Sequence, residues 1–215
     1  MFALTFTFSC SSDDDSNSYD KGNNIANYKT KQIGDQVWMA ENLNYNVAGS
    51  KCYNNDPANC SKYGRLYNWT TAMALPDSCK SNKCDFIASA KRNSICPSGW
   101  HIPNEDEWDE LIDFLGGSNS AGNKLKTTSG WDRDGNGKDT YGFSALPGGF
   151  GESNGDFDEI GGYGYWWSAN EISEYGAYYL HMDYDGDGTY WSNNYKSNLF
   201  SIRCLQDRNL RIFTN

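Results

Sequence analysis

Basic charge, histidine and long apolar runs are what this chain has least of. Its 18 Lys and Arg stand against 28 Asp and Glu, a formal net charge of −10. A nucleic-acid backbone would be repelled, and no basic stripe offsets the imbalance, so nucleic acid is not expected as a partner. No stretch approaches the length of a spanning helix, which leaves a lipid anchor as the expected route to a membrane. Only His101 and His181 are present and no CxxC spacing occurs, which argues against a zinc site. Long helical patterns are also scarce. Aromatics make up 15% of the 215 residues, with 8 Trp and 15 Tyr beside 22 Gly. The mixture predicts short strands, many loops and a core filled by rings, in one domain plus a tail.

Cysteine is plentiful and odd in number, seven in all. Cys10 sits in the N-terminal apolar run, and the other six allow fifteen pairings. Spacing favours Cys52–Cys60 and Cys79–Cys84 as local staples, leaving Cys96–Cys204 as the long link. In a chain-entropy picture that link contributes roughly 4–5 kcal/mol. An oxidising, exported setting fits such a set.

Residues 1–9 read as part of a lipoprotein signal, with Thr7-Phe8-Ser9 ahead of Cys10 as a loose lipobox and Cys10 as the lipidated residue. The basic leader is missing and the run is short, so the true start is expected upstream of Met1. The competing reading is an ordinary N-terminal core strand. Residues 10–27 are Ser-, Asp-, Asn- and Gly-rich and read as a flexible acidic tether. The domain is expected over residues 28–208, with a tail at 209–215.

Within it, Gly34-Asp35 reads as a hairpin turn. A helix is expected over Tyr63–Leu75, ended by Pro76. The clearest helix follows Asn104, an N-cap with Glu107 three residues on, and carries Trp108, Leu111, Ile112 and Leu115 as one apolar stripe before Gly116 and Gly117 stop it. A short third helix is expected over 120–127. Strands are expected near 142–150, over 161–169 with aromatics on alternate faces, over 176–182, and over Leu199–Leu205. Two main helices and a cluster of short strands give an α+β domain.

Six segments in order resemble a known family: Gly34–Asn44, Tyr63–Trp69, Cys96–Pro103, Gly142–Gly149, Tyr165–Ser168 and Ser197–Cys204. Together they are similar to the Fibrobacter succinogenes major paralogous domain. The resemblance implies a C-type-lectin-like fold of short, twisted antiparallel strands stapled by disulfides, a relative of the formylglycine-generating-enzyme fold. It also implies a surface or secreted lipoprotein with a part in adhesion or glycan contact. The acidic run after Cys10 resembles the export signal for the outer face of the outer membrane.

Two Asp-rich loops stand out. Asp132, Asp134, Asn136 and Asp139 are spaced as a flexible oxygen cage for Ca²⁺ would be, and Asp183, Asp185 and Asp187 repeat the pattern. Neither completes an EF-hand, and Asx–Gly runs are also plain turn formers. Tyr190, Trp191, Asn193, Asn194 and Trp167 are the candidate glycan contacts, rings for stacking and amides for hydroxyls. Alternation sends about half of such rings inward. No Ser or Cys stands at informative spacing from His101, and the expectation is a non-catalytic binding module for a polysaccharide or surface glycan. The rivals are a protein-binding surface adhesin without a sugar site and, further off, an enzyme related to formylglycine-generating enzymes.

Overall fold

The computed structural model describes residues 24, 27–84 and 94–208. The signal at 1–9, Cys10, nearly all of the tether and the 209–215 tail lie outside the described residues. The first sheet holds β1 (Thr30–Ile33), β2 (Gln36–Met39), β3 (Trp100–His101) and β9 (Leu205–Gln206), in the order β1-β2-β9-β3, all antiparallel. The second holds β4 (Gly148–Gly151), β5 (Phe157–Ile160), β6 (Tyr163–Glu171), β7 (Gly176–Asp183) and β8 (Tyr190–Tyr195), in the order β5-β4-β6-β7-β8. Among the described residues four α-helices accompany them: α1 (Pro57–Tyr63), α2 (Trp69–Ala72), α3 (Glu105–Phe114) and α4 (Ser118–Leu125). This is an α+β domain, although β4 and β6 pair in parallel rather than antiparallel fashion.

The long second sheet separates two cores because its side chains alternate. Trp166, Leu180 and Met182 face α3 and α4, joining Trp108, Leu111, Ile112, Ala121 and Leu125. Tyr165, Trp167 and Tyr179 face the other way, onto Tyr67, Trp69, Trp100 and Phe200. The expected alternation of the 161–169 aromatics is therefore observed.

Helix α3 starts as its sequence dictates. Asn104 Oδ1 accepts from the Glu107 amide at 2.8 Å, and Glu107 Oε2 accepts from the Asn104 amide at 3.1 Å, a complete capping box. Glu107 Oε1 also meets His101 Nε2 at 2.9 Å, while His101 Nδ1 meets Asp207 Oδ1 at 2.6 Å. The imidazole thus clamps the end of the last strand to the start of the helix. Bonds Cys52–Cys60, Cys79–Cys84 and Cys96–Cys204 are all formed.

Two expected elements break up. No helix runs over Tyr63–Leu75. Gly64 takes φ +78, where a side chain would strike Asn42 and Leu43, and Leu66 and Tyr67 instead pair with Lys51 and Phe200. Asn68 then caps the single turn of α2 through the Thr71 amide. The Leu199–Leu205 run is not one strand either: Leu199, Phe200 and Ser201 make single bridges to Gly151, Tyr67 and Trp166, and only Leu205–Gln206 continues as β9.

Three buried cations hold the irregular segments together. The Arg203 guanidinium donates to the carbonyls of Met39, Phe143 and Ser144 and to Asn42 Oδ1, over the Phe143 ring. Burial lowers its pKa to about 9, which leaves it charged at neutral pH. Lys196, fully buried, donates to the carbonyls of Cys79, Asn82 and Glu174 and to Glu171 Oε2. Lys126 completes the set and belongs to the candidate site.

Candidate functional site

Both Asp-rich loops arrive at one place, the end of the second sheet where β7 hands over to β8. Gly135 is what lets them touch, since a Cβ there would lie 2.0 Å from the Tyr184 carbonyl oxygen. Gly122 on α4 plays the same part, with a would-be Cβ 2.1 Å from the Gly188 carbonyl oxygen. The resulting pocket of about 300 Å³ is lined by Asp134, Asn136, Tyr184, Asp185 and Asp187, with Lys126 and two glycines.

The ammonium of Lys126 sits inside that acidic ring. It donates to the carbonyls of Asp183 at 2.9 Å and Gly186 at 2.7 Å, and it lies 5.2 Å from the Trp131 ring centre. Burial lowers its pKa, while Asp187 and Asp183 work in the opposite direction. The carboxylate loop is thus gathered around a side-chain cation.

This arrangement does not fit the expected calcium set. Asp139 spends both carboxylate oxygens on the Ser144 amide and hydroxyl, at 2.7 Å each. Asn136 Oδ1 accepts from the Trp131 amide at 3.0 Å, and Asp132 lies against Gly161. Of the four, only Asp134 and Asn136 line the pocket. Among the described residues, no group of three or more His, Cys, Asp or Glu side chains is placed to hold a metal ion.

Beside the pocket runs a row of rings. Tyr165, His181 and Tyr190 are register partners across β6, β7 and β8. The His181 ring centre is 5.3 Å from that of Tyr190 and 5.8 Å from that of Tyr165, and Tyr163 stacks on Tyr165 at 5.8 Å. Tyr163 is half-buried and Tyr190 is 43% exposed, so the outer end of the row is open. Tyr184 joins row and pocket, its ring 6.2 Å from Tyr163. Burial pushes the His181 imidazole below its ordinary pKa, with Asp183 opposing. The Tyr165 hydroxyl donates to Glu159, and burial together with that bond holds its pKa far above the ordinary tyrosine range.

A family model described as the Fibrobacter succinogenes major domain matches residues 32–206, from the first strand to the last. The chain belongs to that family. Neither a curated protein nor a solved structure matched it.

In this Fibrobacter succinogenes major domain the expected glycan contacts do not form one platform. Trp167 is fully buried, 4.3 Å from Phe200 and donating its indole N–H to the Tyr67 carbonyl at 2.8 Å, so it cannot meet a ligand. Strand alternation puts Tyr190 and Trp191 on opposite faces of β8. Trp191 turns to α3, where its indole N–H donates to Asp109 at 2.8 Å, and Asn193 shares its face. Asn194 Oδ1 is taken by Asn198 and the Tyr195 amide. Tyr190 alone of the five reaches the ring row. Tyr163, His181, Tyr184 and Lys126 were not anticipated. Period-two alternation through Tyr163, Tyr165 and Trp167 carried part of the signal, since it puts Tyr163 on the Tyr165 face.

Proposed function

We propose that this is a C-type-lectin-like, non-catalytic module that binds a surface glycan or polysaccharide on the ring row and pocket at the β7–β8 end. One observation carries the reading. Half-exposed flat rings, Tyr163, His181 and Tyr190, border a cluster of hydroxyl-binding groups, Asp134, Asn136, Asp185 and Asp187. Aromatic faces stack on the apolar face of a sugar ring, and carboxylates and amides take its hydroxyls with charge-assisted strength. The lectin-like assignment is supported by the long Cys96–Cys204 link, which ties the segment ahead of α3 to the end of the chain's fold. An outer-membrane lipoprotein, anchored through Cys10 and carrying the domain outside the cell, is the setting we propose. No helix among the described residues is long and apolar enough to cross a membrane.

The test is retention of the purified protein on insoluble polysaccharides and a glycan array, with two single variants. Tyr190→Ala should weaken retention about tenfold or more, the usual cost of truncating a central aromatic. Trp191→Ala, on the other face, should leave it unchanged. Equal loss in both, or no retention of the native protein on any glycan, would remove the reading. The second outcome would favour a protein-binding adhesin, for which the exposed Ile172, Tyr175 and Tyr195 around the β6–β7 turn are the available surface.

A further inference from the structure

A second cleft, of about 290 Å³, shares no lining residue with the acidic pocket. Its walls come from Gly49, Lys51 and Asn55, from Asn68 and Lys80, from the turn joining β4 to β5, and from Ser197 and Leu199. The chain is strongly acidic, yet here two ammonium groups, Lys51 and Lys80, face one lining carboxylate, Glu152. Lys80 also meets Asp77 at 2.8 Å, but that aspartate is 84% exposed, and such a surface pair gives way easily.

The two lysines are unusually well fixed at their backbones. Lys51 precedes Cys52 of the first disulfide and pairs with Leu66 on both sides of its peptide. Lys80 follows Cys79 of the second disulfide, whose carbonyl is held by Lys196. Two of the three cross-links therefore hold the basic rim. Phe157 and Leu199 give the same cleft its apolar lining.

Asn68 adds a directional group. It is only 8% exposed, and its Oδ1 is fully used by the Thr70 hydroxyl and Thr71 amide, both at 2.9 Å. Its Nδ2 is thereby turned toward Gly49, at the cleft. Asn55, Ser153 and Ser197 supply further polar atoms around the rim.

We infer that this cleft binds a carboxylate-bearing sugar residue. The carboxylate lies between Lys51 and Lys80, the ring rests on Phe157 and Leu199, and Asn68 Nδ2 donates to a ring hydroxyl. The small volume and the ring of amides and hydroxyls favour a polyhydroxylated ring over an acidic peptide. The inference stands apart from the β7–β8 reading and can survive its failure.

Titration calorimetry of the full chain with tetragalacturonate, against the same oligomer with its carboxyls reduced, tests it. Binding of the acid form should weaken with salt, and the reduced form should bind at least about tenfold more weakly. Lys51→Gln and Lys80→Gln should each cost about tenfold, the loss of one charged hydrogen bond, with unchanged melting temperature. Tyr190→Ala should leave this binding intact. Equal binding of the reduced oligomer, no effect of either lysine variant, or no binding of tetragalacturonate would each overturn the inference. Acetate or an acidic peptide competing as well as the sugar would overturn its sugar part.

Discussion

Replacing Lys196 by Met removes a charge that the fold has no means of replacing. The Lys196 ammonium is fully buried and serves four oxygens, three of them backbone carbonyls of Cys79, Asn82 and Glu174. The fourth belongs to Glu171, whose side chain is 2% exposed and whose other oxygen accepts from the Cys84 amide at 2.6 Å. Methionine fills the volume but leaves the Glu171 carboxylate buried and unpaired. Breaking a buried pair in this way costs about 3–5 kcal/mol. For a domain of this size, that is a fall in melting temperature on the order of 10 °C. Urea unfolding with the disulfides intact measures it. Lys196→Met with Glu171→Leu removes both charges, so the double variant should lose clearly less than the sum of the singles. A loss under about 1 kcal/mol, or strict additivity, would refute the claim that this ammonium organises the Cys79–Cys84 loop.

Paired Cys→Ser variants should rank by loop length. Chain entropy assigns roughly 5 kcal/mol to Cys96–Cys204, which spans 108 residues, against roughly 2–2.5 for the links spanning 8 and 5. Urea midpoints in the reverse order would contradict that account. His181→Phe should flatten the acid limb of stability. Burial lowers the folded pKa of His181 below its ordinary 6.5, so the unfolded chain takes up more protons as pH falls. The stability linked to this group is therefore complete above 6.5 and drains away below it. Melting temperatures across that range should fall less steeply in the variant, and parallel curves would rule the linkage out.

Local signals were readable in the sequence where the chain answers only to itself. Asn104 and Glu107 announce the start of α3, Gly34-Asp35 the first hairpin, and the short cysteine spacings two of the disulfides. The Asp56-Pro57 start of α1 carries equally plain signals, an N-cap and a proline at the first position, although α1 was not among the expected helices. What stayed hidden depends on distant partners. The 63–75 segment has helical periodicity, but Leu66 and Tyr67 find strand partners at Lys51 and Phe200 that outweigh it. Tyr190 and Trp191 differ in value as ligand contacts only once β8 is placed at the sheet edge with α3 under one face.

Lys126 shows the same limit at the site, since carboxylate spacing alone does not reveal which cation gathers the loop. A run such as Asp183-Tyr-Asp-Gly-Asp-Gly gathers negative charge as it turns, which a cation relieves, and Ca²⁺ is the familiar source. Nothing local to the loop distinguishes that source from a lysine 57 residues away, whose ammonium bonds the Asp183 carbonyl. A side-chain cation, unlike a metal, is covalently present and cannot be chelated. Its charge is also one unit rather than two, and two of its three N–H groups are used on backbone carbonyls. The carboxylates of Asp134 and Asp185 are then left as acceptors on the rim rather than consumed as metal ligands. For the glycan contact proposed above, free acceptors are the more useful outcome. It makes the pocket's chemistry a consequence of Lys126 as much as of the aspartates, with chelation expected to leave any glycan binding there unchanged.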